Sequence, residues 1–187
     1  MARPPKRKAP KKKRAAKAAR PKRPKAPPKR PTGPAIVKVI LHARGELVET
    51  ALCEAYGFDR GRPLFRLESV PFLHARPTHG DVIAARTDDA YGGNWAWDRD
   101  REPIRQDGGR YTLVVDYHTS DDEADFDRLC RRLRAEHDLV AELGYEPQGK
   151  KPGRFYLAAP RKVTPSAVLV ALDQAAKGFR IEAVRPL

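Results

Sequence analysis

The stretch RFYLAAPRKVTPSAVLVALDQAAKGFRIEAV, residues 154–184, decides the fold that this sequence predicts. RFYLAAP follows the polar turn GKKPG and is typical of a strand. Thr164 is a preferred helix N-cap residue, and Pro165 suits the first helical turn, so SAVLVALDQAAK is predicted as a helix that Gly178 ends. FRIEAV then alternates apolar and polar residues, which indicates a final strand.

The residues before this stretch predict another strand–helix pair. YTLVVDYH, residues 111–118, is typical of a strand, and the following residues up to Leu143 carry apolar side chains at helical spacing. Ser120 and Glu123 are spaced as a capping box, and Gly144 stands where a C-cap is needed. With YEPQ as a further strand, residues 110–187 are predicted to form a ferredoxin-like β-α-β-β-α-β unit. The predicted fold class is therefore α+β.

The preceding segment, residues 34–109, shows short strand patterns about ten residues apart and no helical pattern. Its strand candidates are PAIVKVILHA, ELVETALCEAYGF, RPLFRLESVPFLHA, GDVIAART and YGGNWAWDR. They predict a small antiparallel β barrel or curled sheet. REPIRQDGGR, residues 101–110, is predicted as a loop that separates the two halves. Trp95 and Trp97 lie on one side of a strand, where core packing is favoured over stacking on single-stranded nucleic acid.

The first 33 residues form a basic tail of very different composition. They hold 15 basic and no acidic residues, eight prolines and seven alanines, which leaves 23 basic and 24 acidic residues in 34–187. The tail thus carries +15 and the remainder −1. Because it has no large apolar residue to bury after Met1, we predict that it is disordered.

A cationic, extended segment of this kind predicts phosphate-directed binding to nucleic acid, DNA above all, without sequence preference. The candidate nucleic-acid-binding residues are Arg3, Lys6, Arg7, Lys8, Lys11, Lys12, Lys13, Arg14, Lys17, Arg20, Lys22, Arg23, Lys25, Lys29 and Arg30. The alternatives are a solubilising tail and a localisation signal, since KRKAPKKKR resembles a nuclear import cluster.

Other features narrow the class of protein. The chain has no run of about 18 apolar residues that would span a membrane. Cys53 and Cys130 are far apart and lack metal-site spacing. We therefore predict a cytoplasmic, nucleoid-associated protein, nuclear in a eukaryotic host, with no cofactor, metal or membrane partner. An unidentified protein partner of the folded body is also expected.

One segment offers an alternative site with different chemistry. Glu68, His74, His79 and Asp81 lie close together around the turn PTHGD. Imidazoles oriented by carboxylates can serve as bases or ligands, which would suit an enzyme or an immunity-type module. The competing interpretation is a tight turn that Gly80 and Asp81 close. No nucleophile or metal motif accompanies these residues, so the sequence favours a protein that is not an enzyme.

The ferredoxin-like unit has a sheet face opposite its predicted helices. Arg154, Tyr156, Arg180 and Glu182 are expected on this face, together with Asp116 and His118. A single aromatic residue there does not suit base stacking as in RNA-recognition domains. Packing against residues 34–109 is favoured, with a partner-binding surface around Tyr156 as the alternative.

The segments LVETALCEAYGF and LFRLESVPFLHARPTHGDVIAA carry a family pattern, with Pro71, Phe72, Gly80 and Asp81 in its key places. In these segments the chain resembles a bacterial family, domain of unknown function 4265. The resemblance spans roughly residues 35–184 and implies a strand, a helix and a further strand–helix pair in the second half. It departs from the family at Glu68–Ser69 and at Leu73, and it implies no activity. The tail is similar in composition to the tails of linker histones.

Overall fold

The computed structural model describes residues 35–43, 47–120 and 124–187, so the basic tail lies outside the described residues. These ranges form a mixed α+β structure with eleven strands in two sheets and two α-helices. The first sheet comprises β1 Ile36–Ala43, β2 Leu47–Asp59, β3 Arg62–Leu67, β4 Val82–Ala84, β5 Arg86–Asp88, β6 Asn94–Asp98 and β7 Ile104–Gln106. The second half comprises β8 Arg110–Thr119, α1 Phe126–His137, β9 Val140–Tyr145, β10 Gly153–Pro160, α2 Pro165–Ala175 and β11 Phe179–Pro186.

The first sheet has seven strands in the order β5-β6-β1-β2-β3-β4-β7. It is open, and no barrel closes among the residues that the structure describes, so the barrel expectation is wrong. The expectation of purely antiparallel pairing is wrong as well, because β1 pairs in parallel with β6. β7 lies in the segment predicted as a loop, and it pairs with β4 through only three residues.

Alternation along β2 selects the core of this sheet. Ala51 and Cys53 are buried, whereas Leu52 between them is exposed. Phe65 and Trp97 pack into the same cluster from β3 and β6. Burial of each large apolar side chain contributes about 1.5–3 kcal/mol of transfer free energy, so this cluster stabilises the first sheet.

The second sheet has four strands in the order β11-β8-β10-β9, and all neighbouring strands are antiparallel. α1 and α2 cover one of its faces, where Phe155 and Leu157 are fully buried. The order of elements is strand, helix, strand, strand, helix, strand.

Helix α1 is shorter than the sequence pattern predicts. It begins after Asp125, whose Oδ1 accepts a hydrogen bond from Arg128 N at 3.0 Å. The predicted capping box therefore does not begin the helix, and Glu123 lies outside the described residues. The helix ends at Asp138, which adopts a left-handed conformation with φ 56°. The predicted helical continuation and the strand YEPQ are wrong, because β9 begins at Val140.

Helix α2 follows the sequence closely. Thr164 Oγ1 accepts a hydrogen bond from Ala167 N at 3.2 Å, and Pro165 occupies the first turn, where no intrahelical N–H partner is needed. Val168 and Leu172, one turn apart, are fully buried against the sheet. No α-helix in the described part of the chain is long and apolar enough to cross a membrane.

Candidate functional site

The turn between β3 and β4 centres on the buried carboxylate of Asp81. It accepts hydrogen bonds from Thr78 N at 2.8 Å and from Gly108 N at 2.7 Å. It also forms a two-pronged ion pair with Arg76, at 2.9 Å to Nε and 3.1 Å to Nη2. The side chain of Asp81 is fully buried, and these four donors satisfy it. The carboxylate therefore holds the turn to the loop after β7.

The four predicted site residues do not converge on one point. His79 Nδ1 lies 3.0 Å from the backbone carbonyl oxygen of Glu68. The carboxylate of Glu68 accepts instead from Arg66 Nε at 3.2 Å. His74 is 1% exposed, and its Nε2 lies 4.0 Å from a carboxylate oxygen of Glu49.

Burial shifts the titration of these groups. It lowers the pKa of both His74 and His79 below the usual 6.5 of histidine. Burial also raises the pKa of Glu49. The backbone N–H groups of Leu73 and Phe72 oppose this effect, because they stabilise the charged carboxylate. Imidazoles that burial keeps neutral are suited to packing. Within residues 35–43, 47–120 and 124–187, no group of three or more His, Cys, Asp or Glu side chains could hold a metal ion.

The two tryptophans lie on β6 of the first sheet and pack against its core cluster. Trp97 is 2% exposed within the core cluster. Trp95 is half-buried, with its ring 5.2 Å from that of Phe65. This packing matches the core interpretation and leaves only part of one indole facing solvent.

The sheet face around Tyr156 is covered by a loop from the first half of the chain. Val70 is fully buried against Val114, Tyr156 and Ala158. Glu142 accepts a hydrogen bond from Val70 N at 2.6 Å, and the ring of Phe72 lies 5.6 Å from that of Tyr156. Tyr156 is therefore 8% exposed, so a partner surface centred on it is not present.

The uncovered end of the same face is an ion-pair cluster. The carboxylate of Asp116 accepts from Arg154 Nε at 2.7 Å and also pairs with Arg185. Burial acts to raise the pKa of Asp116, but the hydrogen bonds and charges of Arg185 and Arg154 outweigh it and lower the pKa. Beside this cluster, His118 Nε2 lies 2.9 Å from the carboxylate of Glu182. Arg154 and Arg185 share one carboxylate, so the cations of this face are only partly neutralised.

Sequence reasoning missed two carboxylates that position the covering loop, the buried Glu49 and the half-buried Glu142. Glu49 accepts hydrogen bonds from Phe72 N at 3.1 Å and Leu73 N at 2.7 Å. The sequence does indicate the role of Glu49, because this charged residue lies on the same strand face as Ala51 and Cys53, where only apolar residues are expected. Glu142 was hidden because the predicted helix ran through it.

Comparisons with known proteins identify no family for this chain. No family model matches the chain, and no curated protein matches it. Among solved structures, the chain is similar to a hypothetical protein from Neisseria gonorrhoeae, at 12% identity and a TM-score of 0.43. The match covers 82% of this chain and 93% of that one. The resemblance to domain of unknown function 4265 stays a prediction.

Proposed function

We propose that this protein binds nucleic acid without sequence preference, through the cationic residues of its tail between Arg3 and Arg30. The observation that carries the proposal is the charge division, +15 in residues 1–33 against −1 in the remainder. In this proposal the protein is not an enzyme, and it resides in the cytoplasm at the nucleoid. Imaging a labelled chain with and without the tail charges would test that location.

The physical basis is counterion release. Each lysine or arginine that neutralises a phosphate releases a condensed cation. Each such contact on duplex DNA therefore lowers the logarithm of the binding constant by about 0.9 for every tenfold rise in salt concentration. The tail has no aromatic or amide side chain between residues 4 and 31 with which to read bases. Duplex DNA is the favoured partner, because its charge density is higher than that of a single strand.

Ion pairing in the folded body supports this assignment. Arginines of the body pair with neighbouring carboxylates, as in Arg62 with Glu102 and Arg110 with Asp138. Such cations are already partly neutralised, so they offer less to a phosphate than the tail, which has no acidic residue. The body would then act as a module for a protein partner or a ligand.

The test is a salt titration of DNA and RNA binding by the full chain and two variants. In the tail variant, Lys11, Lys12, Lys13 and Lys17 become Gln. In the matched control, the exposed body residues Lys150, Lys151, Lys162 and Lys177 become Gln. The tail variant should lower the slope of log affinity against log salt by up to about 3.6, or ~0.9 for each of its four substitutions, and the control should leave the slope unchanged. Equal slopes for both variants would refute the proposal.

We also propose that residues 110–187 are a ferredoxin-like unit. The strand order β11-β8-β10-β9 and the two helices on one face support this assignment. Nuclear Overhauser contacts across the pairs Leu113–Leu157 and Val115–Phe155 would test it, since both pairs are required by the central antiparallel strands. Absence of these contacts would reject it.

A further inference from the structure

A shallow groove of about 600 Å³ runs between helix α1 and strand β9. Its floor is apolar and contains Phe126, Cys130, Ala141 and Leu143. β9 forms the edge of its sheet and is bonded only to β10, so one side of this strand has no neighbour among the described residues. Leu143 is exposed although it is a large apolar residue. The groove is thus a surface with room for an extended chain.

All the charged residues that line the groove are acidic: Asp125, Asp127, Glu142 and Glu146. Asp125 and Glu142 are engaged, the first as a helix cap and the second by Val70 N. Asp127 and Glu146 have no ion-pair partner within 4.0 Å in the described part of the chain, and Arg131, one turn after Asp127, pairs with neither. Two carboxylates at the rim are therefore available to a cation.

The segment that complements this groove belongs to the same chain. Residues 1–33 hold 15 cations and no acid, together with alanine and proline side chains that suit a shallow apolar floor. Proline has no N–H for a strand ladder, so the contact would be made by side chains. Extended grooves lined by aromatic residues bind polyproline-type segments elsewhere in the same way.

The tail also leaves the folded body near the groove. Ala35 O accepts a hydrogen bond from Ala55 N on β2, and Leu52 N on the same strand donates to Ser69 Oγ at 3.0 Å. The next residue, Val70, donates to Glu142. At ~3.3 Å per residue along a strand and ~5 Å between strands, these steps add up to roughly 30 Å at most. An extended tail of 33 residues reaches roughly 100 Å at ~3.1 Å per residue, so it can return to the groove.

We propose that the basic tail binds this acidic groove when nucleic acid is absent, with lysines or arginines beside Asp127 and Glu146. The groove and the phosphates then compete for the same cations. The contact restrains weak, accidental binding and yields to the dense charge of a duplex. This inference extends the proposed function as its regulation, but the groove contact itself needs no nucleic acid.

The direct test uses isotope-labelled full chain without nucleic acid, at 50 mM salt. Amide spectra of the native chain are compared with those of the variant in which Lys11, Lys12, Lys13 and Lys17 become Gln. Amides of residues 125–130 and 140–146 should shift, while those of β6 on the first sheet should not. The proposal is overturned if the groove amides shift no more than those of β6. The salt dependence of DNA binding tests the proposed function separately. A failure of the groove contact can therefore be distinguished from a failure of the proposed nucleic-acid binding.

A second test measures the competition. The variant Asp127→Asn with Glu146→Gln removes both available carboxylates, and the control Asp100→Asn with Asp173→Asn removes two exposed carboxylates elsewhere. Both change the net charge by the same amount. DNA affinity at 50 mM salt should rise about fivefold more in the groove variant than in the control, within the range for exposed ion pairs. Equal increases would show that the groove does not hold the tail.

Discussion

The carboxylate of Glu142 on β9 accepts a hydrogen bond from the backbone N–H of Val70 at 2.6 Å, which ties the loop after β3 to the second sheet. Burial raises the pKa of Glu142, and the Val70 N–H partly counters that effect. Beside the bond, Val70 is fully buried against Tyr156. A polar contact and an apolar one thus join the two halves at the same point.

Replacing Glu142 with Ala should lower the free energy of unfolding by about 1–3 kcal/mol, because the amide of Val70 loses its acceptor in a buried place. Urea unfolding followed by circular dichroism measures the change. Glu136→Ala is the matched control, since Glu136 lies on the exposed side of α1, where it pairs with Arg132 and lies 3.9 Å from His137 Nε2. Its loss should be below about 0.5 kcal/mol, as for other exposed helix pairs. Equal losses for the two variants would contradict the role given to Glu142.

Asp81→Asn should destabilise the fold while leaving nucleic-acid affinity unchanged. The amide carries no charge for Arg76, and its NH2 group replaces one of the two accepting oxygens, so one of Thr78 N and Gly108 N loses its acceptor. A loss of about 2–3 kcal/mol is expected for a buried, charge-assisted network. Chemical denaturation and DNA binding are measured on the same sample. A variant of native stability with weakened binding would instead indicate that Asp81 contacts a ligand.

Gly108→Ala should be among the most damaging small substitutions in this protein. A Cβ atom there would lie 2.4 Å from the carbonyl carbon of Gly80 and 2.8 Å from Asp81 N, so backbone would have to move. Overpacking of this kind costs about 1–3 kcal/mol or more. Gly109→Ala is the comparison, because its Cβ meets nothing within 4 Å and only its φ of 71° is unfavourable, at ~1 kcal/mol. In thermal unfolding, the melting temperature of Gly108→Ala should be clearly lower than that of Gly109→Ala.

The stability of the protein should fall as the pH drops below 6.5, in part through His79. Burial lowers the folded-state pKa of His79, whereas the unfolded chain titrates near 6.5. Between these two values the unfolded state binds more protons, so the contribution of His79 is complete above pH 6.5 and is lost as the pH falls through the folded-state pKa.

His79→Asn isolates this contribution, because its amide can still donate to the carbonyl of Glu68. His74, whose pKa is also lowered, is present in both proteins and cancels in the comparison. Unfolding free energies between pH 5 and 8 should show a smaller loss for the variant at the acidic end. Parallel curves would mean that His79 titrates as it does in water.

Local chemistry made α2 predictable from the sequence. Thr164 and Pro165 mark its start, and each acts on its immediate neighbours only. The end of α1 was not predictable in the same way, because Val140 and Leu143 fit a helical spacing as well as a strand. The helix ends through a left-handed Asp138, and pairing with β10 then draws the following residues into a strand. That competition depends on partners distant in sequence.

The same limit applies to the candidate site around Asp81. Closeness in sequence suggested a single space shared by Glu68, His74, His79 and Asp81. Gly108 N donates a hydrogen bond to Asp81, and His79 pairs with the backbone carbonyl of Glu68, whereas His74 lies 4.0 Å from Glu49. Gly108 and Glu49 come from other segments of the chain, so the residues of the turn do not reveal them. The charge of the tail, by contrast, is a property of composition and needs no fold to be recognised.

The loop that covers Tyr156 joins the two halves of the chain, so neither half is expected to fold well when it is expressed alone. Residues 110–187 expressed alone would leave Val114, Tyr156 and Ala158 without Val70, and would leave Glu142 without its donor. The end of the first sheet at Gln106 is thus a border between sheets, and we expect the two halves to depend on each other for stability. They should melt in one cooperative transition, and a gene fragment encoding either half would yield an aggregation-prone product.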